Sequence, residues 1–513
     1  MTAEDLTEAL TSPAAQRNPK RWLILVVLCL ATLVLVIDNM VLTVALPQIA
    51  IDLHAGSQAL QWVIDSYILV FAGLLLTTGS LSDRFGRRLV MVLGLALFGA
   101  ASLIAAYATS AGMLISGRVI MAAGGALIMP STLSILITVF GEDERPRAIA
   151  AWTGVSVLGM VGGPVLGGIL LNHFWWGSVF LLNVPIAALA IVAAFALMPE
   201  SQGPARPIDL PGMVLSIVGM VSLVWSIIEF PAKGLGGTWV TLVLAVVVLA
   251  GFVIRELRAE HPMVPLQLFR NRVFTGSSFS LVLATFANAG LTLVLTQYLQ
   301  FVLGYSPIKT ALAFTPFALT ALVFNGLGAA LVQKLGVRPV ALVGMLVLAG
   351  GFGALAALTS ESGFWLPALA MSLVGAGAGL AMPAAVGALM GAIPPEQAGV
   401  GSALNDTIQQ TGGALGVAVL GAVLAGTYTD GMPADAPAAA REGIAGAFAI
   451  GDGALVAAAR DAFTDAMSNT FLAGGAAVLA ATVVAFFLMK GAKSAAPESV
   501  PVGAQAEELI EAR

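Results

Sequence analysis

Residues 22–46 read WLILVVLCLATLVLVIDNMVLTVAL, an apolar run interrupted only by Asp38, Asn39 and two threonines. A helix of about 20 apolar residues, rising 1.5 Å per residue, crosses a bilayer. The run recurs along the chain, at 60–82, 88–108, 112–136, 147–171, 178–198, 209–231, 238–255, 273–299, 307–332, 339–358, 363–388, 398–425 and 468–490. Read as helices, these stretches predict an all-α integral membrane protein with fourteen transmembrane spans. Only 10% of the residues are charged and 58% are hydrophobic, against about 25% charged in an ordinary soluble domain. The single cysteine, Cys29, lies in the first run and is read as a small packing residue.

Charge sets the sidedness. Of the 23 Lys and Arg, only Lys233, Lys309, Arg441 and Arg460 fall on one side of this map, and Arg118 lies within a span. The remainder share the side of both termini, which the positive-inside rule makes cytoplasmic. Residues 1–21 then form a cytoplasmic tail leading into a retained first helix rather than a cleaved signal. A six-helix bundle follows at 22–198 and an inserted two-helix hairpin at 209–255. A cytoplasmic amphipathic linker at 256–272 lies along the membrane surface. The second six-helix bundle is 273–490, with an extracellular loop at 427–467, and 491–513 is a cytoplasmic tail. A weak internal repeat supports two halves: GSLSDRFGRR at 79–88 aligns with AALVQKLGVR at 329–338, pairing Gly86 with Gly336 and Arg88 with Arg338. Duplicated halves with a site between them suit alternating access.

A charge within a membrane span costs at least a few kcal/mol, so it marks a candidate site. Asp38 lies roughly 24 Å from the inner face, Asp65 roughly 7 Å and Arg118 roughly 9 Å below the outer one. The three share a level in a core about 30 Å thick and are expected to pair across a cavity. Arginine does not give up its proton, so an acid must be the carrier. Asp406 is the fourth candidate, in the polar stretch GSALNDTIQQTGG. On span 5, Gly159, Gly163 and Gly167 recur every fourth residue, beside Pro164 and Gly168. That stripe lets another backbone approach closely, and the proline can bend the helix. His54, His173 and His261 are scattered, so no metal site is expected. No P-loop is present, and no enzyme activity, cofactor or nucleic-acid partner is expected.

These stretches together resemble the major facilitator superfamily, specifically its fourteen-helix drug:proton antiporters. The cytoplasmic GSLSDRFGRR matches motif A through Gly79, Asp83, Arg84, Gly86, Arg87 and Arg88. Arg118, Gly124 and Ala126 match motif B, with Met121 and Ala122 replacing its glutamine and glycine. Gly159, Gly163, Pro164, Gly167 and Gly168 match the antiporter-associated motif C. IDNMVLTVALP, QWVIDSY and PLQLFRNRVF also look like this group.

The resemblance implies a secondary transporter in the plasma membrane, driven by a proton gradient. It would export small amphipathic, hydrophobic or cationic compounds, with membrane lipids as neighbours. Asp38 and Asp65 would contact cations or carry protons, Arg118 would couple to them, and Asp83 would hold a cytoplasmic gate. Gln333 stands where a second copy of motif A would carry an Asp, which implies an asymmetric gate. An exporter of one antibiotic or metabolite, and a lipid-handling transporter of the same fold, fit the same residues.

Overall fold

The computed structural model describes residues 19–141, 144–202, 209–259, 262, 264, 266–393 and 398–488. Among them twelve helices are long and apolar enough to cross a membrane, and there is no strand. The chain is a multi-pass membrane protein. The first half contains α1 (Arg21–Asp52), α2 (Ser57–Phe85), α3 (Arg87–Ala106), α4 (Ala111–Val139), α5 (Arg145–His173), the short α6 (Ser178–Leu181) and α7 (Asn183–Leu197). Next comes α8 (Leu210–Arg258). The second half contains α9 (Arg272–Gln297), α10 (Pro307–Ala313), α11 (Thr315–Leu335), α12 (Val337–Ala356), α13 (Trp365–Gly391), α14 (Ala398–Gly431), α15 (Ala438–Glu442), α16 (Ile444–Ile450) and α17 (Gly453–Leu488).

Straight, the 49 residues of α8 would span about 74 Å. Yet Arg255 Nε donates to Asp209 Oδ1 at 2.9 Å, and Ser226 Oγ donates to Thr241 Oγ1 at 2.8 Å. The helix therefore doubles back. The reversal is at Gly234, whose φ of 60° and ψ of −173° suit only a residue without Cβ. The two arms, either side of Gly234 within Leu210–Arg258, form a helical hairpin.

The repeat is visible in backbone geometry. Gly86 and Gly336 both end one helix and start the next at positive φ, 111° and 86°. Glycine is the residue that takes this turn without strain.

The end of the bundle carrying the α1–α2 turn and α15–α16 is the one that the charge pattern assigns outward. It is called the outer end below. The halves meet there. Gln300 Nε2 donates to the Val44 carbonyl at 2.9 Å, and Ser57 Oγ to the Glu442 carbonyl at 2.9 Å. A Cβ on Gly168 would lie 2.7 Å from Ile308 Cα. Gln300 sits in a π-helical turn, Tyr298–Val302, that continues α9.

The stretch read as an extracellular loop is largely helical. α14 runs on to Gly431, α15 and α16 follow, and α17 begins at Gly453. Its alanines favour helix, while Pro433, Pro437, Gly443 and Gly451 cut it into short pieces. Asp452 starts α17 by accepting the Ala454 N–H at 2.9 Å. Tyr428 Oη donates to the Ala440 carbonyl at 2.9 Å and folds the pieces onto the outer end.

Candidate transport site

Asp38 and Arg118 form the expected pair. They are 2% and 0% exposed, and Arg118 Nη1 donates to Asp38 Oδ2. A buried pair persists only if its remaining donors and acceptors are satisfied, and here most are. Asn183 Nδ2 donates to Asp38 Oδ1 at 2.8 Å and approaches Ser102 Oγ at 3.2 Å. Arg118 Nη2 donates to Asn39 Oδ1 at 3.3 Å and Nε to the Val63 carbonyl at 3.3 Å. The guanidinium carbon lies 4.2 Å from the Tyr67 ring centre, a cation–π contact. The network ties α1, α2, α3, α4 and α7 together. Tyr67, Ser102 and Asn183 were not singled out from the sequence. The available signal for Asn183 was a lone amide in the apolar run 178–198.

Asp65 does not join this pair. Val63 and Tyr67 face Arg118, and Asp65 lies two residues from each. At 3.6 residues per turn that places it on the far side of α2. The shared depth is right, but the side of the helix is not. Asp65 is 0% exposed, and neither carboxyl oxygen has a hydrogen-bond partner. One turn on either side of it, Gln61 packs against Gly421 of α14 and Leu69 against Ala414 and Ala418. Asp65 therefore lies in the seam between the halves. Asp406 lies deeper on α14, with Asn405 Nδ2 donating to its Oδ1 at 3.1 Å.

Motif C presents two faces. A Cβ at Gly159, Gly163 or Gly167 would come within 2.9, 2.5 and 2.9 Å of Val36, Met40 and Val41. That stripe seats α5 on α1, the helix of Asp38. Gly168, a quarter-turn round, meets Ile308 of the second half. Pro164 is buried within the same helix, which continues through it.

At the turn from α2 to α3, Arg87 Nη2 donates to Asp83 Oδ1 at 2.8 Å, and Arg87 also bonds Thr138 of α4. Arg84 is exposed, and Gly79 approaches Pro130. Arg88 Nη1 reaches the Met198 carbonyl at 2.8 Å. Glu200 accepts the backbone N–H groups of Arg88 at 2.9 Å and Leu89 at 3.1 Å. It serves as an anion at the N-terminus of α3. Replacing Glu200 with Ala is expected to cost about 1 kcal/mol, as for a lost helix cap. A thermal melt in detergent checks this, and Glu200→Gln should recover part of the loss.

Among the described residues no group of three or more His, Cys, Asp or Glu could hold a metal ion.

The chain is similar to known proteins along most of its length. The profile of the Major Facilitator Superfamily matches residues 28–417. The tetracenomycin C resistance and export protein of Streptomyces glaucescens is 32% identical, over 96% of both chains. The multidrug efflux pump LfrA of Mycolicibacterium smegmatis is 33% identical, over 92% of this chain and 97% of its own. A bacterial homologue of the human lysosomal transporter Spinster, crystallised inward-facing and unoccupied, shares the fold with a TM-score of 0.66 at 20% identity. That alignment covers 92% of this chain and 97% of the other.

Proposed function

The chain belongs to the Major Facilitator Superfamily, and from that premise we propose that it exports hydrophobic or cationic drugs across the plasma membrane in exchange for protons. The halves rock about the seam to expose the site to one side at a time. The observation that carries the proton exchange is the unequal state of two membrane acids. Asp38 is held by Arg118 and Asn183, whereas Asp65 is buried with both oxygens unpartnered. An isolated carboxylate in such a place costs at least a few kcal/mol. Asp65 therefore holds a proton while the seam is shut, and gives it up when a cation takes the proton's place. Proton and drug compete for one group, so they alternate. Asp38 and Arg118 supply a fixed ion pair beside the path rather than the moving proton.

The full-length similarity to a tetracenomycin C resistance and export protein and to a multidrug efflux pump supports drug efflux. Both termini lie in the cytoplasm in this reading, as the positive-inside bias supports.

Proteoliposomes with an imposed proton gradient test it. Wild type should accumulate lipophilic cations against their gradient, and dissipating the proton gradient should end accumulation. A panel of dyes and antibiotics measures breadth: one responding compound makes the exporter narrow, several make it a multidrug pump. Accumulation unaffected by the proton gradient would overturn the coupling.

A further inference from the structure

The inserted hairpin has no counterpart in the paired six-helix plan, and its position gives it a task. Resting on the reading that Asp65 carries the exchanged proton, we propose that the hairpin is a proton seal over Asp65.

The side of α2 that carries Asp65 also carries Trp62, Ile68 and Leu69, placed one turn before and after it. Leu69 forms a buried cluster with Val224 and Ile228 of α8 and with Ala414 and Ala418 of α14. Trp62 and Ile68 pack against that cluster, together with Met220, Val221 and Ile227 of the hairpin. Val224 and Ile228 are themselves fully buried. Further along, a Cβ on Gly73 of α2 would lie 2.2 Å from Ile217, and one on Gly426 of α14 would lie 3.5 Å from Pro231. One arm of the hairpin thus lies along the seam and touches both halves. The site of Asp65 has three walls: α2, α14 and the hairpin.

Charged groups on these walls point elsewhere. Glu229 pairs with Lys233 at 3.1 Å. Asp406 lies about two turns before Ala414, and Asp430 about three turns past Ala418. Arg118 of α4 is engaged by Asp38. The hairpin residues packed around Leu69 are all apolar, and the polar groups nearest Asp65 are the uncharged Gln61 and Ser66 of its own helix.

Exchange without leakage requires that Asp65 meet water from one side at a time. With the outer contacts shut, a gap on the hairpin side would wet the carboxyl by a second route, and protons would cross with no drug. Bulky side chains at 224 and 228 close that route. The opposite face of the hairpin, including Val246 at 61% exposure, carries no such duty.

The test uses full-length protein in proteoliposomes enclosing a pH-sensitive dye. Val224→Ala with Ile228→Ala, and separately Val224→Ser, should raise drug-free proton influx severalfold over wild type. Val246→Ala should not. Adding Asp65→Asn to either leaky variant should return influx to the wild-type level. Variants that still export and show no leak would overturn the seal, as would a leak that survives Asp65→Asn. Should the double variant fail to fold, Val224→Ser alone decides. Drug-driven proton release by wild type, measured in the same vesicles, separates the two ideas. If it is missing, the exchange reading fails and takes the seal with it. If it is present and no leak appears, only the seal fails.

Discussion

Replacing Arg118 with Gln is expected to abolish export and to destabilise the first half by about 3–5 kcal/mol, the usual cost of stranding one partner of a buried pair. Asp38 would keep Asn183 and lose its counter-ion, in a place fully removed from water. Asp38→Asn strands the guanidinium and should cost a similar amount. The double variant, Asp38→Asn with Arg118→Gln, carries no uncompensated charge. It should recover most of the stability and none of the export. Thermal unfolding of the four proteins in detergent forms a double-mutant cycle. Costs that simply add would contradict the pairing. Asp65→Asn makes the contrast: an amide in place of a carboxyl that has no partner should leave the melt nearly unchanged while ending the exchange.

Gly168→Val is expected to stop export with each half still folded. Its side chain would meet the Ile308 backbone 2.7 Å away, and backbone cannot turn aside as a side-chain tip can. The clash falls between the halves, so the seam is held apart at its outer end and the transporter stalls open outward. A cysteine placed at Gly421, which packs against Gln61 in the seam, should then react with a membrane-impermeant thiol reagent added outside. It should be protected when Gly168 is intact. Cys29 is replaced first, as the one other thiol. Gly162→Val is the control. It lies on the same helix, and a Cβ there would meet nothing within 4 Å. Equal damage from both substitutions would show that helix propensity is responsible rather than the contact.

The fold was largely legible because a bilayer permits so few solutions. Apolar length marks a helix, lysine and arginine mark its sidedness, and a glycine such as Gly86 or Gly336 marks a turn that other residues resist. Depth was legible too, because rise per residue is fixed, and it put Asp38 and Arg118 at one level. Direction around a helix was not. The side of α2 that faces Arg118 depends on how α2, α4 and α14 pack, and that packing separates Asp65 from Tyr67, two residues away. Asn183 escaped for a similar reason. An amide near the start of an apolar run looks like a wetted helix end until α3 and α1 close over it. The folding of 427–467 was hidden by its prolines and glycines, which read as loop but here divide helices.

The central claim is that Asp65 exchanges a proton for a cation. The direct measurement is proton release from the purified protein in weakly buffered detergent on addition of a lipophilic dye cation such as ethidium. Wild type should acidify the solution with a saturable dependence on the dye, and Glu200→Gln should do the same. Asp65→Asn should bind without releasing protons, or fail to bind. Release from Asp65→Asn equal to that of wild type would contradict the claim and pass the proton to another acid, with Asp406 the first to test.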